Sequence, residues 1–158
     1  MIIYGKQLIL HLLKTHPRSI ETIFLAKECE PKLFSQMARV TDKICRIDEK
    51  KAQAMSRGGN HQGFIAQIKD VELSSFNELK KGNFLVILDE VTDVGNIGAI
   101  VRSAYAFGAD GLILSGVKTC NLEAILRTSS AAAFELPIAV CPSTKDMLNE
   151  LKQVGFCL

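Results

Sequence analysis

Between residues 84 and 114 the pattern of apolar and polar positions is at its clearest, and it predicts three elements. Residues 84–88 (FLVIL) are an unbroken apolar run, short and centred on Val and Ile, the pattern of a buried strand. Asp89, Glu90, Asp93 and Gly95 interrupt it as a polar turn. The period then changes. Ile97, Ile100, Val101 and Ala104 recur at spacings of three and four, which predicts a helix to about Phe107. Asn96 is expected to cap that helix, because a short polar side chain satisfies its free N–H groups, and Gly108 to end it. Leu112, Ile113 and Leu114 form a second buried strand, so the unit reads as a right-handed βαβ crossover.

The front of the chain alternates in the same way. Residues 4–16 read as a helix with Leu8, Leu12 and Leu13 on its apolar face, ended by Pro17. Residues 20–25 alternate as a strand, and Pro31 starts a helix to about Val40 with Leu33, Phe34 and Met37 inward. A short strand at 44–47 precedes a helix from Glu49 to about Ser56, capped by Asp48. Arg57-Gly58-Gly59-Asn60 breaks that helix, and His61-Gln62-Gly63 leads into a strand at 64–68. Residues 70–83 are polar, with Ser74 or Ser75 able to cap a turn or two of helix at 76–81. Further on, Asn121 caps a helix to about Thr128, small residues fill 129–134, and a strand follows at 138–141. Ser143 caps a helix at 145–153, Gly155 closes it, and 156–158 begin another strand. The fold class expected is therefore α/β: a domain at 1–73, a linker at 74–82, and a second domain at 83–158 built on a parallel sheet.

Composition narrows the class. With 47% hydrophobic and 23% charged residues over 158 positions, the chain is an ordinary globular one. No apolar run approaches the roughly 20 residues of a membrane span, and no signal-peptide pattern opens the chain. No membrane association is expected. The five cysteines stand singly, with no CxxC pair, which favours reduced thiols in the cytoplasm over a zinc site or a disulfide framework. Residues 1–73 hold 12 basic against 8 acidic side chains, residues 74–158 hold 7 against 9. The front half is thus the part suited to a polyanion, although such a balance is also that of a plain solvated surface.

Ligands of parallel sheets bind beyond the carboxyl ends of the strands, where residues 89–96 must lie. Gly95 and Gly98 do not have the GxGxxG spacing, and no Gly-Lys-Ser or Gly-Lys-Thr occurs, which disfavours a Rossmann-like domain for a small nucleotide. Leu88, Asp89, Thr92, Asp93, Asn96, Gly98, Ala99, Ile100, Arg102 and Ala104 instead resemble the first signature motif of the SpoU-class (SPOUT superfamily, TrmH-like) RNA ribose 2′-O-methyltransferases. Val94 and Gly95 stand where that family writes a proline and often a histidine. Residues 127–137 resemble its small-residue stretch before an acid and a proline, with Ala132 in place of the family's glycine. Tyr4-Gly5 and His61-Gln62-Gly63 resemble markers of the ribosomal-protein-like RNA-binding domain that precedes the catalytic domain in many of these enzymes.

The resemblance implies a small RNA-binding domain followed by a partial Rossmann-like SPOUT domain. Two further family motifs, which carry the cofactor contacts, the knot and much of the dimer interface, have no match before Leu158. The chain is thus expected to lack cofactor-binding residues and the knot, to bind S-adenosylmethionine weakly, and to be inactive alone. For the complete enzyme the resemblance implies S-adenosylmethionine-dependent methylation of a ribose 2′-hydroxyl in rRNA or tRNA, with a guanosine of 23S rRNA favoured. It further implies a homodimer and no metal. Arg102, Asn96 and Glu135 are the expected catalytic group. A guanidinium, with a pKa above about 12, is a poor base, so Arg102 would stabilise the developing alkoxide or hold a phosphate. Asn96 would hold the loop through its cap and Glu135 would pair with Arg102. Arg57, His61, Gln62 and Gly63 are the expected RNA-binding residues, glycines allowing close approach and Arg57 offering a two-pronged donor. Structural roles compete at each place: His61 and Gln62 as turn residues, the small residues as tight packing, Arg102 as a surface arginine. A non-catalytic RNA-binding module is the alternative function.

Overall fold

Residues Met1–Leu158 are all described in the computed structural model, and they divide into two units, Met1–Asp70 and Val71–Leu158. In the first, the chain runs β1 (Ile2–Tyr4), α1 (Lys6–Thr15), β2 (Ile20–Leu25), α2 (Pro31–Ala38), β3 (Ile44–Arg46), α3 (Glu49–Met55) and β4 (Phe64–Ile68). The sheet order is β1-β4-β2-β3, with β4 antiparallel to both of its neighbours and β3 parallel to β2. Ile65 and Ala66 of β4 are fully buried, as are Ile23 of β2 and Leu12 of α1, so the core forms around the two central strands.

Two expectations fail here. The first helix does not begin at Tyr4: Ile2, Ile3 and Tyr4 pair with Gln67, Ala66 and Ile65 as a strand, and Gly5, at φ 112°, turns the chain into α1. Three residues are too few to show a period, and their pairing partners lie some sixty positions away. Phe34 is 40% exposed and not inward, because the buried face of α2 is one narrow stripe, Leu33 and Met37.

The second unit runs α4 (Phe76–Leu79), β5 (Leu85–Asp89), α5 (Val94–Ala106), β6 (Gly111–Ser115), α6 (Leu122–Thr128), β7 (Ile138–Cys141) and α7 (Thr144–Gln153). Its sheet is parallel, in the order β5-β6-β7, with Leu88 opposite Leu114 and Leu114 opposite Val140. Central β6 is buried at all five positions, whereas Leu85–Leu88 on the edge strand are only half-buried. The segment expected as linker packs on this sheet: the Ser74 N–H donates to Ile138 C=O at 2.8 Å, Ser75 and Glu78 form a reciprocal capping box, and Leu79 joins Ile113, Ala139, Met147 and Leu151 in the core. Residues 156–158 are not a strand. After the left-handed Gly155 the chain turns back on α7, and Phe156 N–H donates to Leu151 C=O at 3.0 Å. No helix is long and apolar enough to cross a membrane.

Candidate functional site

The polar turn after β5 and the helix it opens are organised by Asp93. Its Oδ1 accepts the Asn96 N–H at 2.7 Å, which makes Asp93 the N-cap and places Val94, Gly95 and Asn96 in the first turn of α5. Asn96 therefore does not cap the helix. Both residue types cap well, and only the position of the first free N–H groups separates them. The buried side of α5 carries Ile97, Gly98, Val101 and Ala104. Gly98 lies where α5 meets α6: a Cβ there would come within 2.6 Å of the Thr128 carbonyl carbon. Thr128 Oγ1 donates across to Val94 C=O at 2.8 Å, joining the end of α6 to the start of α5.

Asn96, Ala99, Arg102 and Ser103 occupy the exposed arc of the same helix. The Arg102 side chain makes no ion pair or hydrogen bond, so its five N–H donors face solvent. Glu135 is exposed at the end of the 3-10 turn Ala132–Phe134 and does not pair with Arg102, contrary to expectation. The small-residue stretch is a tight corner. Ser129, fully buried, donates to Leu126 C=O and accepts the Ala133 N–H, both at 3.2 Å. The left-handed positions fall at Ser130 and Ala131 (φ 54° and 75°), ahead of Ala132, the residue that replaces the family's glycine.

At the carboxyl ends of the strands sits a contact that sequence reading missed. Asp89 Oδ1 accepts from Thr144 Oγ1 at 2.6 Å and from Ser115 Oγ at 2.8 Å, linking β5, β6 and the start of α7. Those hydroxyls favour the ionised carboxylate, Thr144 most, and hold Asp89 below the usual carboxylate range. Asp89 at a strand end was a visible signal; nothing in the sequence pointed to Thr144, 55 residues away. Two clefts open beyond these ends. One of about 150 Å³ is lined by Thr92, Val94, Ile97, Leu114, Cys120 and Asn121, the other, of about 190 Å³, by Val140, Pro142, Ser143 and Met147. Burial pushes the Cys120 and Cys141 thiols up, away from reactivity. No cluster of His, Cys, Asp or Glu is arranged to hold a metal.

In the first unit the expected RNA-binding residues divide. His61 is 2% exposed; its Nδ1 accepts the Gly63 N–H at 3.0 Å, which puts the proton on Nε2, 3.2 Å from Glu49 Oε1. Its ring holds the loop together and cannot reach a ligand. Gln62 Oε1 accepts the Lys6 N–H at 3.0 Å and so caps α1, while Gly63, at φ 86°, is buried beneath the Lys27 side chain. The Tyr4 side chain lies against Gly59, and Gly5 N–H donates to Phe64 C=O at 3.0 Å, so the two markers at either end of this unit are one packed turn. Of the four residues, only Arg57 and Gln62 are exposed.

A two-unit α/β chain of this kind, with the capped α5 motif on a parallel sheet, is the architecture of a SPOUT-type methyltransferase. Residues 83–158 match the SpoU rRNA Methylase family, and residues 2–74 match the RNA 2′-O ribose methyltransferase substrate-binding family. The chain belongs to the SpoU family. It is 30% identical over 161 residues to the 23S rRNA (guanosine-2′-O-)-methyltransferase RlmB of Haemophilus ducreyi, across 95% of this chain and 65% of that protein. An uncharacterised tRNA/rRNA methyltransferase of Archaeoglobus fulgidus is 31% identical over 119 residues, across 72% of this chain and 53% of its own length. The AdoMet-bound rRNA methyltransferase from Sinorhizobium meliloti superposes with a TM-score of 0.67 at 26% identity, over 96% of this chain and 57% of that one. The SpoU methyltransferase AviRb from Streptomyces viridochromogenes shares the fold at 21% identity, with a TM-score of 0.67 over 97% and 59% of the two chains. The chain thus spans about two thirds of the length of the RlmB relative.

Proposed function

We propose that the protein transfers a methyl group from S-adenosylmethionine to a ribose 2′-hydroxyl of rRNA or tRNA, with a guanosine of 23S rRNA as the preferred target. It would work in the cytoplasm, as a homodimer. The observation that carries this reading is Arg102: an unpaired guanidinium on the exposed arc of the helix within the SpoU motif.

The two clefts at the strand ends, about 150 and 190 Å³, are smaller than the roughly 300 Å³ at which small-molecule pockets begin, so these residues alone do not enclose a molecule of the cofactor's size. When bound, the cofactor supplies an electrophilic methyl on a sulfonium. The residues of this chain serve the acceptor. Arg102 offers a two-pronged hold on a phosphate and positive charge to a developing alkoxide. Asn96, six residues earlier, presents an amide at the other end of the same solvent-facing arc.

Transfer of labelled methyl from S-adenosylmethionine to unmethylated 23S rRNA and to tRNA tests the reading. Arg102→Ala is expected to lower the single-turnover rate about 10²–10³-fold, the scale of losing one transition-state donor, with cofactor affinity kept. Arg102→Lys should not restore it, because a point charge lacks the fork. A near-unaltered rate for Arg102→Ala removes the residue from the chemistry. RNA binding without any transfer leaves a binding module.

A further inference from the structure

We propose that the cleft between the loops after β5 and β6 seats the base of the nucleotide that is methylated. The inference rests on the proposed RNA substrate and adds the place where its base is held.

The cleft lies beyond the carboxyl ends of two adjacent parallel strands, between residues 91–94 and 117–121. Buried Ile97 and Leu114, with half-buried Val94 and Val117, make it largely apolar. Its polar side chains are the hydroxyls of Thr92 and Thr119 and the amide of Asn121, and no charged side chain lines it. At about 150 Å³ it has half the volume at which pockets for whole small molecules begin, which suits a single ring system. Apolar surface edged by neutral donors and acceptors fits a flat, uncharged ring with hydrogen-bonding edges. A nucleobase is such a ring. The carboxylates of Asp93 and Glu123, near Thr92 and Asn121 in the chain, repel a phosphate here and leave a neutral base unopposed.

The polar groups around the cleft are also unspent. Val117, Lys118, Thr119 and Cys120 make no hydrogen bond through backbone or side chain, and neither do Val91 and Thr92. Each therefore offers a free N–H and C=O beside the cleft. Asn121 Oδ1 accepts the Ala124 N–H at 3.0 Å, which fixes the amide and leaves Nδ2 as a donor. Donors and acceptors side by side match guanine, whose edges carry both. A nucleotide turned out of its stack presents those edges and frees its ribose for reaction. Ile97 on the cleft and Arg102 belong to the same helix, α5, so one element carries the base seat and the guanidinium.

The test is amide-resolved NMR of the 158-residue chain titrated with millimolar GMP, ribose phosphate or S-adenosylhomocysteine. GMP is expected to shift the amides of Thr92, Thr119, Cys120 and Asn121, whereas ribose phosphate is not. Thr119→Val removes a hydroxyl, and Asn121→Asp keeps the cap while removing the amide donor. Each should weaken GMP binding about fivefold, the scale of one neutral hydrogen bond. Unaltered amide spectra away from the loops confirm that both variants fold. No shift with GMP, equal shifts with ribose phosphate, or GMP binding that neither variant weakens overturns the inference. Stronger shifts of the same amides with S-adenosylhomocysteine give the cleft to the cofactor and overturn it as well. All of these leave methyl transfer to RNA standing. GMP held in the cleft of a protein that transfers no methyl keeps the base seat and sinks the reaction instead.

Discussion

Gly98 shows how narrowly a single position can be set. Alanine in a helix is favoured over glycine by about 1 kcal/mol, yet here the added methyl would meet the Thr128 backbone at 2.6 Å. The clash should win: Gly98→Ala is expected to destabilise the protein by about 1–3 kcal/mol in urea unfolding, the range for overpacking. Asp89 and Asp110 make a prediction of a different kind. Hydroxyls of Thr144 and Ser115 lower the first, and the Asn83 and Phe84 N–H groups lower the second, in each case by favouring the ionised form. A folded pKa below the unfolded value contributes stability that is complete above about pH 4 and lost as pH falls through the lowered value. Asp89→Asn should therefore flatten the loss of stability on acidification below about pH 4, read by chemical denaturation at stepped pH. An unchanged acid limb would show that the contact with Thr144 is not kept in solution.

At the scale of elements, α5 separates two residues that look alike in the sequence. Asp93 caps the helix through a 2.7 Å bond to the Asn96 N–H, whereas the Asn96 side chain is exposed. Asp93→Ala is expected to cost about 1 kcal/mol and Asn96→Ala to stay within about 0.5 kcal/mol, by thermal or urea unfolding. In the proposed chemistry the order reverses, because only Asn96 shares the exposed arc with Arg102. Most elements were legible beforehand for a local reason. Asp48, Ser75, Asn121 and Ser143 are each a capping residue ahead of an apolar period, and each caps its helix. Strand β1 was not legible, since pairing with β4 rather than its own three residues makes it a strand.

For the whole molecule, the second unit leaves apolar surface uncovered. Phe107 is 80% exposed, with Tyr105 at 48% and Phe84 at 46%. The backbone bond from Asp110 N–H to Phe84 C=O, at 2.8 Å, keeps Phe84 close to the end of α5 that carries the other two. Beside them, Leu85–Leu88 are half-buried on an edge strand with one free ladder. Exposed aromatic groups and an open edge favour association. The chain should therefore show concentration-dependent self-association by light scattering, and Phe107→Asp should reduce it without lowering the melting temperature. Association unchanged by Phe107→Asp would place the contact elsewhere.

What the sequence determined by itself was whatever depends on near neighbours: the apolar periods, the caps, the glycine stops, and the motif spacing from Leu88 to Ala104. Those features are written within a few residues and need no partner. The tertiary structure decided the rest. It put the His61 ring inside the loop and made Gln62 a cap for α1, because Gly63 and Lys6 supply N–H groups that the chain folds against them. It left Arg102 apart from Glu135, which the 129–135 corner sets on the surface without an ion pair to α5. And it joined Asp89 to Thr144 across 55 residues, a contact that follows from strand order and register, which no local pattern encodes.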